Sequence, residues 1–340
     1  MRIGDLDLDE RVMVVAEIGN NHEGDFGLAQ ELIGLAAEAG VDAVKFQTFR
    51  TQAYVSARDR ERFARLKSFE LTESQFEKLA ATAAAAGLWF LSTPFDLDSV
   101  RCLAGLVDAF KISSGDNTFF PLLQAVARTG KPVILSSGLA TLDQLREAQA
   151  VIAGARGEPV ARDLAILHCV SSYPVPPAEA NLAVIPRLRE ALGCTVGYSD
   201  HTLGIEAAGV SVALGARIVE KHFTHDRNHS DFRDHRLSAD PAELRRLVDR
   251  VKLITTLLGR GEKVLQPCER PAITVLRRSI VAGRDLPSGT VLAAGDLSWV
   301  RPGGGLAPGQ EDLVLGRQLL EPVAAGDLIV PRLLADEVNG

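Results

Sequence analysis

Two histidines, His201 in GYSDHT (residues 197–202) and His222 in EKHFT (residues 220–224), stand at the ends of consecutive apolar runs that read as parallel strands. Such ends lie side by side, so the two imidazoles are expected together at one rim of a sheet. There they can ligate a divalent ion and leave positions open for water and substrate. Imidazole with oxygen donors suits Mn²⁺, Fe²⁺, Co²⁺ or Zn²⁺, and Asp200 and Glu220 are candidate orienters of the rings. Lys45 and Lys111 follow earlier runs, together with the hydroxyls of Ser114, Ser136 and Ser199 and with Gly115 and Gly138, where backbone can approach an oxyanion. This set suits a phosphate plus a carboxylate. The competing reading makes the lysines partners of Glu17 and of aspartates in the same mouth. His225, His229 and His235 read as surface or substrate-facing, and His22 fits either kind of role.

Positioning these groups requires a repeated scaffold. Strand-like runs at 12–16, 42–46, 88–91, 108–112, 132–135, 163–167, 194–197 and 217–219 alternate with helical stretches. Eight strand-plus-helix units predict an α/β fold, a (β/α)₈ TIM barrel. Thr72 with Gln75, Thr141 with Gln144, and Asp240 with Pro241 and Glu243 are helix starts; Gly40 and Gly87 are stops. Leu28, Leu32, Leu35 and Ala39, and likewise Leu244, Leu247, Val248 and Val251, have the spacing of a helix face turned to the barrel wall. In such a barrel, residues after the strands converge on one mouth. They run Glu17 with Asn20 and Asn21, Lys45 and Gln47, Ser92 and Thr93, Lys111 with Ser113 and Ser114, Ser136 and Ser137, His168 with Ser171 and Tyr173, then residues 199–201 and 220–222.

The chain of 340 residues is long enough for one barrel and a smaller domain. We expect the barrel over 1–258, a linker rich in Gly and Pro over 259–276, and a turn-rich domain over 277–340. No apolar run has the length of a membrane span and the N-terminus lacks a signal-like pattern, so a soluble cytoplasmic protein is expected. A net charge of −7 argues against a nucleic-acid surface. Four cysteines without a CxxC pair read as buried reduced thiols.

The strings AEIGNNHEGD, DAVKFQTF, FLSTPFD, KISSGD, KPVILSSG, LHCVSSYP, VGYSDHTLG and EKHFT resemble the sialic acid synthase family: the N-acetylneuraminate synthases and their nonulosonic acid and spore-coat polysaccharide relatives. RRSIVAGRDLPSGT and VRPGGGLAPG resemble that family's C-terminal antifreeze-like SAF domain, of β-clip type. The resemblance covers nearly the whole chain. It implies condensation of phosphoenolpyruvate with N-acetylmannosamine or a related amino-sugar aldehyde, giving a nine-carbon 2-keto acid and phosphate. It implies a divalent cofactor on His201 and His222, Mn²⁺ first, with Mg²⁺ or Co²⁺ as alternatives. Lys45, Thr93, Lys111, Ser114, Ser136, Ser171 and Ser199 would hold phosphoenolpyruvate. Gln47, Tyr173, Asp234 and Glu17 would face the sugar, with Glu17 either transferring a proton or only hydrogen bonding. Arg301 would reach the sugar from a partner's SAF domain, in a domain-swapped homodimer.

Two departures bear on the acceptor. Where many members of the family carry a Pro-Gly-Pro-Asp-His-like segment, this chain has Asp231, Phe232, Arg233, Asp234 and His235, and Val175 stands where threonine is frequent. The acceptor therefore stays open between N-acetylmannosamine and a diacetamido-6-deoxy hexose of the pseudaminic or legionaminic type. Two other classes remain to be weighed, a metal-dependent barrel lyase or hydrolase that does not use phosphoenolpyruvate and a non-catalytic carbohydrate-binding scaffold.

Overall fold

Side chains alternate across a strand with a period of two, and that period organises the first part of the molecule. In β1 (Met13–Gly19), Met13, Val15 and Glu17 face inward while Val14, Ala16 and Ile18 pack outward. The same alternation runs through β2 (Ala43–Thr48), β3 (Trp89–Pro94), β4 (Ala109–Ile112), β5 (Val133–Ser136), β6 (Leu164–Cys169), β7 (Thr195–Asp200) and β8 (Ile218–His222). All eight pair in parallel, and β8 pairs with β1 to close the barrel. This computed structural model describes residues 1–335. Each strand begins one residue later than its apolar run and, except for β4, continues past it into polar residues.

A helix follows each strand: α1 (Phe26–Ala39), α2 (Glu73–Ala85), α3 (Leu97–Leu103), α4 (Phe120–Ala127), α5 (Leu142–Arg156), α6 (Val184–Leu192), α7 (Glu206–Ala213) and α8 (Pro241–Leu258). Their starts follow from side-chain chemistry. Thr72 and Thr141 accept from the backbone N–H of Gln75 and Gln144, whose side chains return the bond, and Asp240 accepts from that of Glu243. Gly40 ends α1 in the left-handed region at φ 84°. Apolar helix faces bury against the outward strand residues. Inside, an N-terminal hairpin, Arg2–Ile3 with Leu6–Asp7, carries Met1, Ile3, Leu6 and Leu8 against Met13, Val15, Leu91 and Ile134. The lower barrel is thus dry, and only the upper layer is polar.

The chain folds as two compact units, Met1–Gly259 and Arg260–Gly340. The second unit begins with helical turns, Pro267–Ala272 and Ile273–Leu276, so the expected linker over 259–276 is partly ordered. Beyond them β9 (Ser279–Ala282) pairs antiparallel with β10 (Leu297–Val300), and short bridges enclose a core of Ile280, Leu286, Leu292, Val314, Leu319 and Ile329. The expected domain end at 340 falls in 336–340, outside the described residues. All four thiols are free, but only Cys169 and Cys194 are buried. Cys102 is half-buried and Cys268 exposed, contrary to the expected buried set. No helix among the described residues is long and apolar enough to cross a membrane.

Candidate active site

The upper barrel layer is a row of charges of alternating sign. Glu17 and Lys45 are register partners on β1 and β2 and pair at 2.6 Å. Glu220 on β8 lies 3.7 Å from Lys45 and 3.6 Å from Lys111, bridging the two lysines. Lys111 donates to Ser136 Oγ at 2.7 Å, Lys45 to Thr93 Oγ1 at 3.3 Å, and Ser199 to Glu220 Oε1 at 2.8 Å. All four charged groups are buried, and two cations offset two carboxylates. Charges survive such burial only when paired in this way.

Burial raises the pKa of Glu17 more than Lys45 lowers it. At Glu220 burial acts upward too, but Lys111 and Lys45 outweigh it and hold the carboxyl at about 2. Burial lowers Lys111, whereas at Lys45 the two carboxylates override burial and raise it. Two nearby carboxyls pushed apart in this manner can take different proton duties.

Backbone irregularity aims the sugar-side groups. A register shift between Glu17 and Gly19 bulges β1, with Gly19 at φ 56°. A Cβ on Gly19 would stand 3.0 Å from Glu17 Oε1 and 3.2 Å from Gln47 Nε2, so glycine leaves room for the Gln47-to-Glu17 bond of 3.0 Å. Asn20 in turn donates to Gln47 at 2.9 Å.

Opposite, Ser114 and Ser171 converge on Gly138. A Cβ there would fall 2.5 Å from Ser114 Oγ and closer still to Ser171 Oγ. Asn117 pins this loop by donating to the Gly138 carbonyl at 2.9 Å. The Ser171 hydroxyl is buried without a partner, a donor left free at a cavity wall.

His201 and His222 face each other at 5.3 Å between ring centroids. Nδ1 of His201 donates to the Val170 carbonyl at 2.9 Å, which leaves Nε2 with the lone pair. Burial lowers His222 to about 3, so its ring is neutral near pH 7, and its Nδ1 is buried without a partner. At His201 burial also acts downward, but the Cys169 sulfur and the Val170 carbonyl outweigh it and raise the pKa. Two imidazoles with available nitrogens fit a divalent ion that takes its other ligands from water and substrate. Among the described residues no cluster of three His, Cys, Asp or Glu side chains forms a fuller metal site. Tyr173 packs on His201 at 4.2 Å, and Asp234 presents a buried Oδ1 that accepts no hydrogen bond and lies 3.3 Å from Arg233 Nε.

These groups line one cavity of about 750 Å³, a size common for small-molecule sites. Every barrel residue expected to hold the metal, phosphoenolpyruvate or the sugar lines it. Arg301 lies exposed in the second unit, with no ion pair among the described residues.

Other expectations change. Asp200 and Lys221 point outward and pair with each other at 3.0 Å, fully buried between barrel and helices, so Asp200 orients no histidine. Glu220 serves the lysines rather than the imidazoles. His168 also faces outward, bonding the Ala180 carbonyl, and Ser92 bonds Thr48. His235 is buried between Thr224 and Glu23 rather than at the surface. Glu220 was legible through its parity with His222, and Lys221 through the opposite parity. Arg62 and Arg65, which also line the cavity, had no such signal.

A closed (β/α)₈ barrel with buried lysines, hydroxyls and imidazoles at its C-terminal rim defines a barrel enzyme for a small polar substrate. The NeuB family model matches residues 32–263 and the SAF domain model residues 277–335. The chain belongs to the NeuB family. It is 43% identical to a protein of unknown function from Methanocaldococcus jannaschii, over 97% of each chain. It is 37% identical to the N,N′-diacetyllegionaminic acid synthase of Campylobacter jejuni, covering 91% of this chain and 96% of that one. It is 32% identical to the human N-acetylneuraminate-9-phosphate synthase, covering 94% and 92%. The N-acetylneuraminic acid synthetase of Leptospira borgpetersenii superposes with a TM-score of 0.75 at 34% identity, over 80% of this chain and 94% of that chain. This protein is a sialic acid synthase-like transferase, of the kind that condenses phosphoenolpyruvate with an amino-sugar aldehyde.

Proposed function

We propose that Lys45, Lys111, Thr93, Ser114, Ser136, Ser171 and Ser199 bind phosphoenolpyruvate, and that Glu17, Gln47, Tyr173 and Asp234 bind the acceptor, N-acetylmannosamine or a related amino sugar. The observation that carries this is the buried Glu17–Lys45–Glu220–Lys111 row beside the Gly138 cradle, with its free Ser171 hydroxyl. An incoming phosphate and carboxylate find two lysines already desolvated and fixed, so little reorganisation accompanies binding.

In the reaction the enol carbon C3 attacks the aldehyde carbon, whose oxygen takes up a proton. Positive charge left at C2 is quenched by water, which gives up a proton. Cleavage of the C2–O bond to phosphate then gives the 2-keto acid. Glu17, with its raised pKa and its place beside Gln47, is our candidate for moving one of these protons. A divalent ion on His201 and His222, Mn²⁺ first and Mg²⁺ or Co²⁺ otherwise, would supply Lewis-acid polarisation of the acceptor's carbonyl.

We further infer a homodimer in which the SAF domain of one subunit brings Arg301 to its partner's barrel, working in the cytoplasm. Arg301, without an ion pair among the described residues, and the exposed Val210 of α7 and Leu253 and Leu257 of α8 support it. The second acceptor class, a diacetamido-6-deoxy hexose, draws on the 37% identity to the legionaminic acid synthase.

The test is phosphate release from phosphoenolpyruvate with Mn²⁺, across N-acetylmannosamine, diacetamido-6-deoxy hexoses and a no-sugar control. Release with a sugar, together with a new 2-keto acid by mass spectrometry, is the expected result. Release without sugar would overturn the condensation.

A further inference from the structure

The loop departures at the mouth converge with an element that the reaction has not used. After β2 the chain forms a short helix, Arg60–Phe69, whose Leu66 and Phe69 are buried in a satellite cluster with Phe49 and Val55. Phe232, in the loop after β8, packs edge-on against Phe69 at 5.3 Å. This aromatic contact ties two loops from different strands together. It also fixes what flanks them.

Arg233, next to Phe232, lies over the Tyr173 ring at 4.7 Å, and that ring also packs against His201 at 4.2 Å and His222 at 6.1 Å. Arg62 lies over Tyr54 at 5.7 Å, and Arg62 and Arg65, one turn apart, both line the same cavity. Neither Arg62 nor Arg65 has a carboxylate within ion-pair distance among the described residues, while Asp231 is drawn to Arg236 at 3.6 Å. Asp116 at this rim is hydrogen-bonded by Ser113 at 2.5 Å. Arg233 keeps Asp234 as a neighbour at 3.3 Å. The floor already contains its own cations for phosphoenolpyruvate, each matched by a carboxylate. Three guanidinium groups around the outer cavity, two of them without a counter-charge, are surplus to that need.

We propose that Arg62, Arg65 and Arg233 form a second oxyanion subsite, and that the acceptor of this enzyme carries a negatively charged group, a phosphate monoester or a carboxylate, at the end remote from its aldehyde. The proposal rests on the reading of the site as an amino-sugar aldehyde site. An open-chain hexose with C1 at the histidine pair extends its C6 end along Tyr173 toward these arginines. Guanidinium forks match the paired oxygens of phosphate and carboxylate. Stacking on Tyr173 and Tyr54 holds two of the three side chains in place without consuming their donors. A 6-deoxy acceptor offers nothing to this subsite, so the proposal selects against that alternative.

The experiment compares three acceptors that differ only at C6, namely N-acetylmannosamine, its 6-phosphate and N-acetylmannosaminuronate, with saturating phosphoenolpyruvate and Mn²⁺. We expect kcat/KM for at least one anionic acceptor to exceed that for N-acetylmannosamine by about 100-fold or more, the scale of two charge-assisted contacts. That ratio should collapse in the Arg62→Ala/Arg65→Ala variant and recover in part with Arg62→Lys/Arg65→Lys. Equal or better use of the neutral sugar, or a preference that survives the alanine variant, overturns the subsite.

Calorimetric binding of the same three compounds, with phosphoenolpyruvate present so that the floor site is filled, separates this inference from the reaction. Arginine-dependent binding of an anionic sugar without turnover would uphold the subsite while defeating the condensation. Turnover of neutral acceptors alone would do the reverse. Absence of both turnover and anionic binding would overturn the subsite as well.

Discussion

Two lysines that look alike in the sequence have opposite duties, and one residue of register separates them. Lys111 shares the inward parity of Ala109 on β4, while Lys221 shares the outward parity of Val219 on β8. Lys221 pairs with Asp200 where both are fully buried, so Lys221→Met leaves the Asp200 carboxylate without its counter-charge, held only by two hydrogen bonds from Thr202, and should cost about 3–5 kcal/mol of stability. Lys111→Met instead leaves Glu220 with Lys45, and should weaken phosphoenolpyruvate binding by about 30-fold or more while melting near wild type. Thermal unfolding and equilibrium binding measured on both variants should divide them this way. A large loss of ligand affinity in stable Lys221→Met would reverse the assignment. The residue types at the mouth were legible in the sequence, and so was the juxtaposition of His201 and His222. What the run of polar residues after strands lacked was parity. Imposed on those residues, a period of two removes Ser92, His168, Asp200 and Lys221 and promotes Glu220 from an orienter of imidazoles to the anion between two lysines. Arg62, Arg65 and Arg233 could not be found this way, because they sit outside the barrel strands on short helices brought together by the Phe69–Phe232 contact, far apart in sequence.

Among the elements, helix boundaries were the most legible, because a cap is a local hydrogen bond between residues three apart and owes little to tertiary context. Strand ends were misjudged because the apolar run stops where the barrel mouth begins, although the backbone ladder continues. Glu17, Lys45, Ser199 and His222 are strand residues held by parallel hydrogen bonds, which is why they can be rigid as well as polar. The N-terminal hairpin escaped sequence reading altogether. Two strands of two residues carry too short a pattern to register, yet Ile3 and Leu8 are fully buried against the barrel floor. Ile3→Ala should therefore cost about 2–5 kcal/mol, since little can relax into the gap beneath a closed sheet. The loss belongs to stability alone, because the plug and the site occupy opposite ends of the barrel. Urea unfolding followed by far-UV circular dichroism should shift to lower midpoint while the KM for phosphoenolpyruvate stays unchanged. A raised KM with an unshifted midpoint would mean that the floor communicates with the mouth.

At the scale of the molecule, the two units differ in what they can do alone. The barrel owns the charged row, the histidine pair and the cavity, whereas the second unit owns Arg301, exposed and without a counter-ion among the described residues. If Arg301 serves the site of the partner subunit, defects in Arg301 and in His222 complement each other when they sit on different chains. In a mixed dimer of Arg301→Ala with His222→Ala, one site then combines an intact barrel with an intact arginine, and the other site loses both. Such dimers should regain about half the wild-type kcat/KM, although each homodimer is impaired, His222→Ala by loss of the proposed metal ligand and Arg301→Ala by loss of the proposed sugar contact. If each SAF domain instead serves its own barrel, no site in the mixed dimer is whole, and activity cannot exceed half that of the Arg301→Ala homodimer. Differently tagged subunits, refolded together and purified through both tags, give the needed species, and bound metal reports the His222 defect independently of turnover. Mixed dimers holding half the wild-type metal with no recovered turnover would assign Arg301 to the barrel of its own chain and overturn the composite site.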